Sequence, residues 1–253
     1  MMMARSAVAK KKSRSALAVA LPRELLVDIV GILAASSPQP MADLCNLRST
    51  CKDMYGACKE RHVGRRLAME KERGMKWRDT VAYFAMLKNL ADAGNPEACF
   101  TLGLTLVLAR HNEQQGLACL EQAAAGGHKT AAYVLGMLLY TLKDRRDVAK
   151  RYIGQVEGDL MRKVATEKTN RECTKYRQLA VNAVREVAWK GMENGGQSGL
   201  VPEEEYRCTN ARCGVPEDWA DYDVFCGDDC RIRHECVQFF GQVSRYTTLT
   251  IQF

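Results

Sequence analysis

Ala93-Gly94-Asn95-Pro96-Glu97-Ala98-Cys99-Phe100-Thr101-Leu102-Gly103 is answered 33 residues later by Gly126-Gly127-His128-Lys129-Thr130-Ala131-Ala132-Tyr133-Val134-Leu135-Gly136. In that register Leu87 falls on Leu120, Gly94 on Gly127, Asn95 on His128, Phe100 on Tyr133 and Gly103 on Gly136. Such a period fits stacked helix-turn-helix units, each burying its apolar face only against a neighbour. Gly94 and Gly127 are placed to end one helix, and Gly103 and Gly136 to let packed helices approach closely. A third, poorer unit is expected from near Val148. The spacing of Tyr176, Leu179, Ala180, Val184 and Val187 predicts a capping helix over 172–192. The fold class is therefore mainly α.

The two quoted units resemble Sel-like repeats, relatives of tetratricopeptide repeats, over about residues 80–145. That resemblance implies a short helical-repeat solenoid across 78–194, whose concave face is the expected seat of a partner protein. A stack this short is more often a scaffold than a catalyst. Gly127-His128-Lys129-Thr130 is not a phosphate loop, which needs a glycine immediately before the lysine and another five residues earlier.

Upstream, Leu21-Pro22-Arg23-Glu24-Leu25-Leu26-Val27-Asp28-Ile29-Val30-Gly31-Ile32-Leu33 places apolar residues at 21, 25, 26, 29, 30 and 33, which reads as one helix face. Pro22 suits a first turn, where its missing N–H is not needed. Ser36, Ser37, Pro38 and Pro40 break the pattern, and Leu44, Leu47, Cys51 and Met54 resume it. Two short helices thus flank a proline turn. Leu-Pro-x-Glu-Leu-Leu, then Asp43-Leu44, Leu47-Arg48 and Ser49-Thr50-Cys51-Lys52, resembles an F-box over roughly 21–60, within a helical domain at 21–66. The resemblance implies docking on the Skp-type adaptor of a cullin ubiquitin ligase. Its contact candidates are Leu21, Pro22, Leu25, Leu26, Ile29, Leu44 and Leu47; the competing reading makes them core leucines of an amphipathic pair. Asp53-Met54 and a longer turn between the helices depart from the family pattern.

The chain is 47% hydrophobic and 26% charged, enough apolar content to fold. Of its net charge of +7, much lies in an acid-free basic arm at 1–20 carrying Arg5, Lys10, Lys11, Lys12 and Arg14. A solvated disordered tail is the favoured reading over a nuclear address, a transit peptide or a phosphate-binding strip, so nucleic acid is not an expected partner. No stretch approaches the roughly 20 apolar residues that span a bilayer. The expected location is cytosolic or nuclear.

Six of the eleven cysteines are scattered, whereas Cys208, Cys213, Cys226, Cys230 and Cys236 crowd one stretch after a linker at 195–205. Cys208 and Cys213 are separated by four residues, and Cys226 and Cys230 by three, so two loops can present ligand pairs. Zinc takes four such thiolates tetrahedrally, and a full set reads as structural because catalytic zinc keeps a position open. The expected ligands of a structural Zn2+ are Cys208, Cys213, Cys226 and Cys230, in a zinc knuckle at 206–242 followed by a tail at 243–253. His234 and Cys236 stand as alternates, Cys236 reading better as a residue buried against Phe239 and Phe240. Arg207, Arg212, Arg231 and Arg233 lie where they could offset the charge of four thiolates. Disulfides compete as an explanation, although a reducing compartment disfavours them. The ending resembles half of a MYND-type finger, without its first ligand pair. Metal removal is expected to melt residues beyond about 200 and spare the repeats.

In this order the three segments resemble a plant-type F-box protein with Sel-like repeats and a reduced finger. The resemblance implies a substrate receptor of a Skp-cullin-F-box ubiquitin ligase, acting in ubiquitin conjugation on an unknown protein substrate. The alternative is a zinc-finger and repeat scaffold in nuclear regulation that joins no ligase. No Gly-x-Ser-x-Gly, His-Glu-x-x-His or phosphate loop is present, so the expectation is a non-enzyme.

Overall fold

The structure is a computed structural model and describes residues 21–108, 112–157, 168–188, 208–210, 213–216 and 223–246. The basic arm and the linker at 195–205 lie outside them. The chain divides into two compact units, up to Thr80 and from Val81. The described residues are mostly helical, and no described helix is long and apolar enough to cross a membrane.

In the first unit α1 (Arg23–Ser36), α2 (Pro40–Thr50), α3 (Lys52–Cys58) and α4 (Arg61–Arg66) precede the short α5 (Met75–Arg78). The amide of Leu26 donates to the Pro22 carbonyl at 3.2 Å, opening α1 behind the proline. Leu26, Val30 and Ala34 are buried one turn apart on a helix that packs against α2, α3 and α4. In the proline turn, buried Ser37 donates its hydroxyl to Asp43 and accepts the Gln39 amide at 2.9 Å, which satisfies the break between α1 and α2 internally.

The second unit stacks α6 (Thr80–Ala93), α7 (Pro96–Leu108), α8 (Glu113–Ala125), α9 (Lys129–Tyr140) and α10 (Arg146–Glu157), closed by α11 (Arg171–Ala188). The 33-residue register holds for the helices themselves, from α7 to α9 and from α8 to α10. Gly94 and Gly127 have φ of 86° and 88°. At both, the following amide reaches back to the carbonyl five residues earlier, Asn95 to Leu90 and His128 to Ala123, a Schellman closure that needs a left-handed residue. Asn95 Oδ1 then caps the Ala98 amide and His128 Nδ1 the Ala131 amide, both at 3.0 Å. Gly103 and Gly136 sit at the crossings. A Cβ on Gly103 would lie 2.9 Å from Leu120 Cγ, and one on Gly136 2.7 Å from Ile153 Cγ1.

The concave-face expectation meets a different arrangement. α11 packs across α7, α9 and α10, and every residue from Thr130 to Tyr140 is buried. The chain's own capping helix occupies the inner helices, because its stripe of Cys173, Ala180, Val181, Val184 and Ala188 buries there. Leu179, read as part of that stripe, is instead exposed. A three-stranded antiparallel sheet in the order β1-β3-β2 joins β1 (Lys168–Thr169), β2 (Val215–Pro216) and β3 (Asp223–Phe225). The final helix, α12 (Asp228–Val243), packs on α9 and α11 through Ile232, Cys236, Phe239, Phe240 and Val243.

Candidate metal centre

The four expected ligands converge. The Sγ atoms of Cys208, Cys213, Cys226 and Cys230 lie within 4.8 Å of one another, and Cys226 Sγ is 3.4 Å from those of both Cys208 and Cys230. A zinc tetrahedron with bonds of about 2.3 Å has sulfur-to-sulfur edges of about 3.8 Å, inside that range. A disulfide would need about 2.05 Å, and all eleven cysteines are free.

Two tight turns produce the convergence. After Cys213, Gly214 adopts φ 80° and its amide donates to the Val224 carbonyl at 2.8 Å, tying the first knuckle to β3. β3 runs into Cys226, extended Gly227 starts α12, and Cys230 follows in the first helical turn. The Cys226 amide points at Cys213 Sγ, 3.4 Å away, so a backbone N–H supports a ligand sulfur. A hydrogen bond from the Asn210 backbone holds the Cys208 thiol below its ordinary range, whereas burial pushes that of Cys230 up, so a metal must displace the Cys230 proton to complete the set.

Neither alternate joins this group. His234 tilts against Phe225, ring centroids 5.1 Å apart, with Nε2 3.7 Å from Asp223. Cys236 is fully buried 3.6 Å from the Met137 sulfur, and burial pushes its thiol pKa up. Arg231 is also not a counter-charge for the thiolates. It is buried, bonded to Glu157 and to Asp228, and its guanidinium approaches the Thr169 carbonyl. Arg207 and Arg212 lie outside the described residues.

A buried polar network unforeseen from sequence ties α12 to the repeats. Fully buried Glu235 accepts the Tyr133 hydroxyl at 2.6 Å and an Arg177 N–H at 3.2 Å. The Tyr140 hydroxyl and Lys150 both reach Asp229, and the Asn170 amide donates to the Arg231 carbonyl at 3.0 Å. An available signal was an acid at 235, between Ile232 and Phe239 on the apolar face of α12.

The other candidates lie in the first unit. Leu26 and Leu44 are core, Leu21 and Leu47 are half-buried, and Pro22, Leu25 and Ile29 are exposed. The single face read for α1 is thus two stripes, because Leu26 and Val30 fill the core and leave Leu25 and Ile29 outside. Ile32, not among the candidates, extends the outer stripe: Leu25, Ile29 and Ile32 expose 48%, 50% and 55% of their surface.

A family model of plant tetratricopeptide repeats matches residues 70–181. Two Arabidopsis thaliana proteins are similar in sequence. "Putative F-box protein At1g67623" is 32% identical over 140 residues, 55% of this chain and 46% of the relative. "F-box protein At1g67340" is 30% identical over 122 residues, 47% of this chain and 31% of the relative. The chain therefore spans less than half the length of either. No solved structure matches. Residues 70–181 carry tetratricopeptide-type repeats, in a chain related to proteins named F-box proteins.

Proposed function

We propose that the chain is an F-box substrate receptor of a Skp-cullin ubiquitin ligase, working in the cytosol or nucleus and performing no bond chemistry itself. Pro22, Leu25 and Ile29 dock the Skp-type adaptor, with Leu21 and Leu47 at the margin and Leu26 and Leu44 supporting them from the core. The second unit holds a target protein, raising its effective concentration beside activated ubiquitin. Zn2+ at Cys208, Cys213, Cys226 and Cys230 is structural, since four sulfurs leave no position open for water. The observation that carries this reading is the outer stripe of α1. Three large apolar residues a turn apart face water on a helix whose core face is already filled, and burying such area yields about 25 cal/mol per Å2.

Co-purification with a Skp-type adaptor tests it, comparing the zinc-loaded full chain with a Leu25→Asp, Ile29→Asp variant. Both positions are exposed, so circular dichroism should be unchanged while adaptor binding is lost. A folded native chain that does not bind, or a variant that binds equally, refutes the docking role and favours a scaffold outside the ligase.

A further inference from the structure

Among the described tyrosines only Tyr55 is exposed, with 42% of its surface open to water; Tyr83, Tyr133 and Tyr140 are core and the others half-buried. It stands in the middle of α3, a helix of seven residues. Its hydroxyl is the phenol of this fold that a second protein can reach without opening a core.

Two cations converge on it. Arg48, in the last turn of α2, holds its guanidinium carbon 5.3 Å from the ring centroid, and Lys59, which closes α3, holds its ammonium nitrogen 4.3 Å away. Both residues are exposed, and among the described residues neither is paired with a carboxylate. Glu60, next to Lys59 in sequence, is bonded to Arg23 instead. Asp53 lies two residues before Tyr55 on the same helix, a spacing at which side chains do not face each other. Two like charges are therefore held beside one ring with no acid between them, an arrangement that an added anion would complete. Lys59, by hydrogen bond and by charge, and Arg48 after it hold the phenol below its ordinary pKa, so its proton leaves more readily than that of a free tyrosine.

We propose that Tyr55 is a phosphorylation site whose phosphate is held within the first unit by Arg48 and Lys59. The step is a phosphoryl transfer from a nucleoside triphosphate by a tyrosine-directed protein kinase. The Tyr55 oxygen bonds the γ-phosphorus as the bond from that phosphorus to the β-phosphate oxygen breaks; the diphosphate leaves, and the phenol proton passes to the kinase's base. The product carries about −1.5 to −2 charges at neutral pH, with three acceptor oxygens to share between the two cations. Because Arg48 belongs to α2 and Lys59 ends α3, the phosphate ties the two helices together and stiffens the unit that carries the outer stripe of α1. The assignment needs only the geometry around Tyr55 and stands whether or not an adaptor binds.

The experiment uses the zinc-loaded full chain in two arms. In the first, a panel of soluble tyrosine kinase domains with Mg-ATP, followed by peptide mapping, labels Tyr55 and leaves Tyr83, Tyr133 and Tyr140 unmodified. In the second, phosphotyrosine is incorporated at position 55 during translation and its phosphorus resonance is followed against pH. The second pKa of the phosphate is ordinarily about 6. In the folded chain it falls by about one unit relative to the same chain in urea, because neighbouring cations favour the dianion. The Arg48→Gln, Lys59→Gln double variant, altered at two exposed positions, keeps its circular dichroism and returns the pKa to the unfolded value. No labelling at Tyr55 by any kinase of the panel, a phosphate that titrates alike in the folded and unfolded chain, or a shift that survives the double variant overturns the proposal.

Discussion

Gly136→Ala and Gly103→Ala are chemically the same substitution at equivalent repeat positions, yet they should respond differently to a second change. At Gly136 the new Cβ meets Ile153 Cγ1 at 2.7 Å, about 1 Å inside ordinary carbon contact, whereas the nearest backbone atom, Ala149 O, lies at 3.3 Å, a tight contact that a shift of a few tenths of an ångström relieves. The main obstruction is one side chain. At Gly103 the Cβ meets Leu120 Cγ at 2.9 Å and also the Gly116 carbonyl oxygen at 3.0 Å, and the latter is fixed by the helix. Each alanine should cost about 1–3 kcal/mol as an overpacked crossing. For a unit of this size that lowers the midpoint by roughly 2–4 °C per kcal/mol. Ile153→Ala alone leaves a cavity costing about 2–5 kcal/mol. In the Gly136→Ala, Ile153→Ala pair the new methyl fills part of that cavity, so the double variant should be less destabilised than the sum by about 1–2 kcal/mol. The Gly103→Ala, Leu120→Ala pair should recover less, since the carbonyl stays in place. Urea unfolding of zinc-loaded protein, followed by circular dichroism, measures both cycles. Additivity at Gly136, or equal recovery at the two sites, would refute the claim that these glycines exist for helix contact.

Burial raises the pKa of Glu235 above its ordinary value despite the hydrogen bond from Tyr133 and the charge of Arg177. Only at pH values between the ordinary and the raised pKa does the folded protein hold a proton that the unfolded chain has released, so stability from this group is greatest below the ordinary carboxylate pKa and declines as pH rises through the raised one. The difference in unfolding free energy between native protein and Glu235→Gln, measured against pH with zinc present, should carry that slope; a flat difference would contradict it. Chelation should weaken the second unit as a whole instead of releasing only residues beyond 200, because Asp229 and Glu235 tie the ligand helix to Tyr140 and Tyr133. Hydrogen exchange at the α9 amides is expected to accelerate on metal removal, and unchanged protection would restore the independent-module expectation.

The features legible in the sequence are local or periodic. The glycines at 94, 103, 127 and 136 repeat because backbone geometry repeats, and closely spaced cysteines announce a ligand set without any knowledge of the fold. The proline turn was readable for the same reason. What was not readable depends on partners far apart along the chain. The choice between Leu25 and Leu26 for the core is decided by α2 to α4, not by the spacing within α1. That α11 would cover α7 and α9 required knowing where it lands, since an amphipathic stripe says only that something is buried. Tyr133, Arg177 and Glu235 read singly as an aromatic core residue and two solvent-facing charges, and they become one network only after packing.

The edge strand at Lys168–Thr169 carries a consequence for anyone who would borrow the finger. Its partner strand, Asp223–Phe225, leads directly into Cys226, so part of the scaffold that aims a ligand is written some 40 residues before Cys208, the first of the four ligand candidates. A peptide cut from 206 to 246 would keep all four sulfurs and lose that flank, together with Asn170 and the tyrosines that seat α12. Grafted onto another protein, such a segment would be a chelating loop without its mould, and the smallest transferable part of this architecture is the finger together with the repeats beneath it.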